Sequence, residues 1–142
     1  MKNNVVEVKQ EHIDEGVQGC PCYCAVSLAV YEALEHKYKF YNNLHTYFLS
    51  RDELRDSVPI GESWVETAVA GAGAEISIYT KHFNNTKKVI EIVEDYIEIK
   101  EDAREDFKTN ASILEKWIED FDTFDNSKPT SFVIESIYRM NN

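Results

Sequence analysis

Apolar and polar residues repeat along this chain with two periods, near two residues for strands and near 3.6 for helices. At residues 4–9, Val5, Glu7 and Lys9 alternate with Val6, Val8 and Gln10, which predicts a short opening strand. His12 to Glu15 reads as one helical turn, Gly16 and Gly19 bracket a bend, and Pro21 interrupts regular structure. From Cys24 to Lys37 the spacing of Val26, Ala29, Val30, Ala33 and Leu34 predicts a helix, and Ala25 and Leu28 widen its apolar arc enough to bury most of it. Residues 38–49 are rich in rings (Tyr38, Phe40, Tyr41, Tyr47, Phe48) and fit neither period. Ser50 to Glu53 has the form of a capping box for a short helix through Asp56. Ser63-Trp-Val-Glu66 has the same form and predicts a second helix to about Ala70, ended by Ala70-Gly-Ala-Gly-Ala74. Ile76 to Lys81 then alternates as a strand, and Asn84-Asn85-Thr86 is turn chemistry.

Residues 89–100 admit two readings. The acidic positions 91, 94, 95, 98, 101 and 102 have helical spacing, whereas the β-branched content favours strands. A hairpin turning at Glu94-Asp95 would place Ile90, Ile92, Ile97 and Ile99 on one face, and this is the preferred expectation. It leaves Glu91 opposite Glu98 and a turn without glycine. Ser112 to Glu115 is a third capping-box pattern, opening an amphipathic helix over 112–124 with Trp117, Ile118 and Phe121 inward. Asn126-Ser-Lys-Pro129 stops it, and Phe132 to Ile137 alternates as a closing strand. The expected fold class is α+β: a single domain, 1–142, with a small, mainly antiparallel sheet packed against the 24–37 and 112–124 helices.

With 43% hydrophobic and 12% aromatic residues the chain can build a core, so a wholly disordered chain is excluded. Charge then narrows the partners. Residues 91–125 hold 13 acidic and 4 basic residues, net −9, against −11 for the whole chain. Such a surface repels nucleic acid and anionic membranes, so neither is expected as a direct partner. It suits either a solvated face or an acidic surface that docks on a basic protein. No apolar run is long enough to span a bilayer, and no apolar leader opens the sequence, which predicts a cytoplasmic protein.

Candidate chemistry is sparse. Cys20-Pro-Cys22-Tyr-Cys24, with His12, offers four zinc ligands, but the spacing lacks a second distant pair. The expectation is packed thiols at a helix start and no cofactor or metal. The sequence has no nucleophile elbow, His-Glu-x-x-His, Walker loop or Rossmann glycine pattern, and the 70–74 glycines follow an expected helix, whereas a phosphate cradle precedes one and uses its N-terminal amides. The basic segment is Lys81-His82-Phe83-Asn84-Asn85-Thr86-Lys87-Lys88. Its lysines attract phosphate, Phe83 can stack on a base and Asn84 can hydrogen-bond a base edge, so Lys81, His82, Phe83, Asn84, Lys87 and Lys88 are the candidate ligand-binding residues. The rings among residues 38–48 offer an alternative pocket wall or an oligomer interface.

Val8-Lys9-Gln10-Glu11-His12-Ile13-x-x-Gly16-x-x-Gly19, with Cys24-x-x-x-Leu28-Ala29-Val30 and Glu32-Ala33-Leu34, resembles a group of small phage- and prophage-encoded accessory proteins. Trp117-Ile118-x-x-Phe121-Asp122, Lys128-Pro129, Phe132 and Ile134 are similar to that group's closing helix and strand. Members often carry proline after the helix-start cysteine, where this chain has Ala25. The resemblance implies an accessory protein expressed in a bacterial host to counter its defences, and it assigns no catalytic residue. The expected function is therefore a non-enzymatic anti-defence binding protein that sequesters a small nucleotide-like immune signal, as a homo-oligomer. The alternatives are an acidic nucleic-acid mimic that docks on a host nucleic-acid-binding protein, and a small zinc-binding or Cys–His enzyme.

Overall fold

A computed structural model describes residues 5–41, 51–69, 71, 73–101, 111–123 and 127–140. The elements run β1 (Val5–Val8), α1 (Gln10–Glu15), α2 (Ala25–Ala33), α3 (Arg51–Ser57), β2 (Ser63–Val69), β3 (Ala74–Asn84), β4 (Val89–Ile99), α4 (Ala111–Thr123) and β5 (Thr130–Arg139). The strands form one antiparallel sheet in the order β1-β5-β4-β3-β2, so the fold is α+β as the periodicities imply. No helix among the described residues is long and apolar enough to cross a membrane.

One face of the sheet carries the main core. Val6, Val65, Ile76, Ile78, Ile97, Ile99, Phe132 and Ile134 meet Val26, Ala29 and Val30 of α2 and Leu114, Ile118 and Phe121 of α4. The opposite face carries a smaller cluster, in which Leu54 of α3 and Val58 close over Trp64. Trp64 stacks on Tyr79 with centroids 5.5 Å apart, and its indole N–H donates to the buried Glu66 carboxylate at 2.9 Å.

Two expectations are corrected. Residues 63–69 are a strand, not a helix. Trp64 and Val65 point to opposite faces and both are fully buried, which only a period of two achieves. The outer edge of β2 is also satisfied: the amides of Ser63, Val65 and Thr67 donate to the Lys39 carbonyl, the Tyr31 hydroxyl and the Pro21 carbonyl at 2.9, 3.1 and 3.0 Å. That cover removes the cost of an open edge. The second correction concerns 89–99, which is one continuous strand without a turn at Glu94-Asp95. Ile97 and Ile99 enter the core, whereas Ile90 lies on the other face and is 56% exposed. Polar neighbours make the unbroken strand tolerable. Asp95 takes the Arg139 guanidinium at 2.8 Å and the Tyr38 hydroxyl at 2.9 Å, and Glu94 takes the Ser77 hydroxyl at 2.7 Å.

Boundaries differ in smaller ways. α2 ends near Leu34 rather than Lys37, because the Lys37 and Tyr38 amides both turn back to the Leu34 carbonyl. That turn sends Tyr38 and Phe40 onto the core. α4 begins at Ala111, so Ser112 lies inside the helix. Ser50, the expected cap of α3, lies outside the described residues, as do Ala70, Ala72 and Asn126. Gly16 is required by close approach: a Cβ there would stand 2.8 Å from the Ala25 nitrogen and the His12 carbonyl oxygen. The 16–19 bend thereby docks on the end of α4, where Gln18 donates to the Phe121 carbonyl at 2.7 Å.

Candidate functional site

The basic segment closes the β3–β4 ribbon. Lys81, His82, Phe83 and Asn84 are the last residues of β3, and Lys87 and Lys88 lie in the turn. Strand alternation divides Lys81 and Phe83 from His82 and Asn84, so the six do not converge on one face. Several are engaged within the chain. The Lys81 ammonium donates to the Asp56 carbonyl at 3.2 Å, and Lys87 lies 3.9 Å from Glu91. The Asn84 side-chain oxygen accepts the Thr86 and Lys87 amides, both at 3.0 Å, so the turn's own amides already hold an acceptor.

The glycine loop also holds an internal anion. Glu115 of α4 accepts the Gly71 amide at 2.7 Å and the Gly73 amide at 3.3 Å. Gly71 and Gly73 have φ of 80° and 129°, which turns these amides inward at no Cβ cost.

Cys20, Cys22 and Cys24 are all thiols. Cys24 caps α2 and is buried, with its Sγ 3.5 Å from the Ser27 hydroxyl, and burial pushes its thiol up. Among the described residues, three ligand atoms converge not at the thiols but at Glu11, His12 and Glu32, within 4.8 Å of one another. Their hydrogen bonds give this trio a different role. His12 Nδ1 accepts the Lys9 amide at 2.9 Å, so the ring proton sits on Nε2, which faces Glu32 at 3.5 Å. A neutral imidazole that ligates through Nε2 needs its proton on Nδ1 instead. The Lys9 ammonium, 3.0 Å from Glu32, supplies the positive charge, and Glu32 in turn raises the Lys9 pKa.

This trio forms part of the rim of a cleft of about 530 Å³ between α1, α2 and the 38–41 segment. Its wall is a chain of rings. Tyr23 meets Tyr31 at 6.2 Å, Tyr31 meets Phe40 edge-on at 4.9 Å, and Phe40 stacks on Tyr38 at 5.5 Å. Internal bonds hold two of these rings. The Tyr31 hydroxyl donates to the Cys22 carbonyl at 3.0 Å, and the Tyr38 hydroxyl to Asp95. Burial pushes both phenols up, and for Tyr38 the Asp95 carboxylate adds to it. The remaining rim carries Glu11, Glu15, Glu32 and Glu35 around the rings, with the Lys9 ammonium 3.0 Å from Glu32 and 3.9 Å from Glu11. Lys39 also lines the cleft, and its ammonium is paired with Glu62 at 3.7 Å.

A second cleft, about 690 Å³, is lined by Tyr96, Tyr138, Glu98, Glu101, Glu135 and Lys100, among others. Its two rings meet each other at 5.5 Å rather than extending as a wall, and Lys100 stands among three carboxylates.

The ring-rich stretch after α2 does supply part of a pocket wall, through Tyr38, Phe40 and Tyr41. The sequence reading did not supply Tyr23 and Tyr31, because Tyr31 reads as one more residue of the α2 helix. Glu91, Glu94, Asp95, Glu98, Glu115 and Asp122 each bond within the chain. No family model, curated protein or solved structure matches this chain.

Proposed function

We propose that this protein works by binding, without catalysis, and that its ligand is a small organic cation with an alkylammonium or guanidinium head, held in the cleft between α1, α2 and the 38–41 segment. The observation that carries this reading is the run of rings Tyr23–Tyr31–Phe40–Tyr38 beneath four glutamates. Ring faces attract a cation by about 0.5–1 kcal/mol each when exposed and about 2 when dry. Carboxylates at the rim raise the local cation concentration and orient entry. Tyr31 and Tyr38 are pre-set by hydroxyl bonds, so little ordering of these two rings is lost on binding. The phage-like termini supply a setting: an accessory protein that holds a host molecule away from its target.

Capture of a nucleotide-like signal at Lys81–Lys88 is the second reading, supported by three lysines at one ribbon end. It draws less from the geometry, because the Thr86 and Lys87 amides and the Lys81 and Lys87 side chains already have partners. Both readings are tested by one NMR titration of the protein with choline, spermidine, arginine methyl ester and a set of cyclic nucleotides. The cleft reading expects saturable shifts at Tyr23, Tyr31 and Phe40 with the cations. Shifts confined to Lys81–Lys88, and caused by the nucleotides alone, would replace it with the second.

A further inference from the structure

Among the described residues, β4 outruns its neighbour β5. β5 pairs with β4 from Ile99 to Asp95, and the Met140 amide adds one bond, 2.9 Å to the Glu94 carbonyl. The β3–β4 ribbon continues in unbroken register to Asn84 and Val89. The edge of β4 from Val89 to Val93 therefore borders no further strand among the described residues. Backbone groups alternate sides along an antiparallel strand. Since Glu94 turns its carbonyl toward β5, Ile92 and Ile90 turn their N–H and C=O groups to the same open edge. Val89 and Ile90 are 45% and 56% exposed beside it.

An open strand edge is a template for another strand, and its ends decide what fits. At one end Lys88, with φ 57°, leads out of the ladder into the turn. At the other the Glu94 carbonyl is occupied. What remains is Val89-Ile90-Glu91-Ile92-Val93, which reads the same in both directions. We propose that this edge pairs antiparallel with the same segment of a second copy of the chain, about a two-fold axis at Glu91. In that register Ile90 exchanges both backbone hydrogen bonds with Ile92 of the partner subunit, and Val89 faces Val93 of the partner subunit. The register uses the outward backbone groups of Ile90 and Ile92 on both copies, the same patch on each, as an isologous contact requires. Its one mismatch is Glu91 against Glu91 of the partner subunit. Asn84 Nδ2, 3.2 Å away, and Lys87 Nζ, 3.9 Å away, soften that repulsion without removing it. A contact this short gives a weak, reversible dimer.

Sedimentation equilibrium between about 10 µM and about 1 mM tests the proposal. A monomer–dimer equilibrium is expected for the natural chain. Glu91→Gln should tighten it up to about fivefold, since like charges directly opposite cost up to about 1 kcal/mol. Ile90→Lys should abolish the dimer and leave the far-ultraviolet circular dichroism unchanged. Mild oxidation of Glu91→Cys should give an intermolecular 91–91 disulfide, mapped by mass spectrometry. A monomer throughout in both the natural chain and Glu91→Gln overturns the proposal. So does a dimer that tolerates Ile90→Lys or that fails to cross-link at position 91.

Discussion

Glu115 fills the glycine loop: its carboxylate accepts the Gly71 amide at 2.7 Å from a helix 44 positions away in sequence. A side chain that looks like half of a capping box with Ser112 instead joins α4 to the β2–β3 connection. Glu115→Ala should lower stability by about 1 kcal/mol, the net worth of an exposed charge-assisted bond. Glu115→Gln keeps an acceptor and should lose less than half as much. Urea unfolding of the three proteins checks both values, and equal stabilities would show that the anchor contributes nothing.

The continuous β4 strand assigns its isoleucines to different environments. Ile97 is fully buried and Ile90 is mostly exposed. Ile97→Ala should therefore cost about 2–5 kcal/mol. Ile90→Ala should stay within about 0.5 kcal/mol. A hairpin at Glu94-Asp95 would put both on one face and make the costs alike, so the ratio reads out the register.

Asp95 ties β4 to β5 and to the segment after α2. Burial acts to raise its carboxyl, but hydrogen bonds from Arg139 and Tyr38, with the guanidinium charge, outweigh burial and hold it below the ordinary 3.8. A carboxyl depressed in the folded state contributes stability above its unfolded pKa and loses it as pH falls through the folded value. Tyr38 is raised above the ordinary 10.0, by burial first and by Asp95 second, so its contribution is complete below that value and fades as pH rises beyond it. The stability difference between the natural chain and Asp95→Asn should accordingly be flat from about pH 5 to about pH 9 and shrink below about pH 4. Thermal unfolding across that range measures it. A difference that grows on acidification contradicts the assignment.

Periodicity sufficed for β1, α2, β3, α4 and β5, because each has one face in the main core and shows it. It failed at β2 because Ser63-Trp-Val-Glu66 satisfies a capping pattern locally while its burial comes from both sides. Trp64 goes under α3 and Val65 under α2, and neither cover is visible in the strand itself. It failed at Glu94-Asp95 because two adjacent acids read as a turn, whereas Arg139 and Tyr38 lie 44 and 57 positions away. The cleft was half legible: Tyr38, Phe40 and Tyr41 form a ring-rich run, but their partners Tyr23 and Tyr31 come from either side of the α2 start. The lysine segment was legible as a turn, and its internal partners were not.

The charge on the ligand is the centre of the account, and calorimetry with a matched pair of ligands isolates it. Choline and its neutral carbon isostere, 3,3-dimethyl-1-butanol, have the same shape, so only the cation distinguishes them at the ring wall. The natural chain should bind choline about tenfold or more tightly than the isostere, and Phe40→Leu, which keeps apolar volume but removes a ring face, should erase most of that preference. Equal affinity for the two, or a preference that survives Phe40→Leu and Glu35→Gln together, would contradict the claim that rings and carboxylates select a cation.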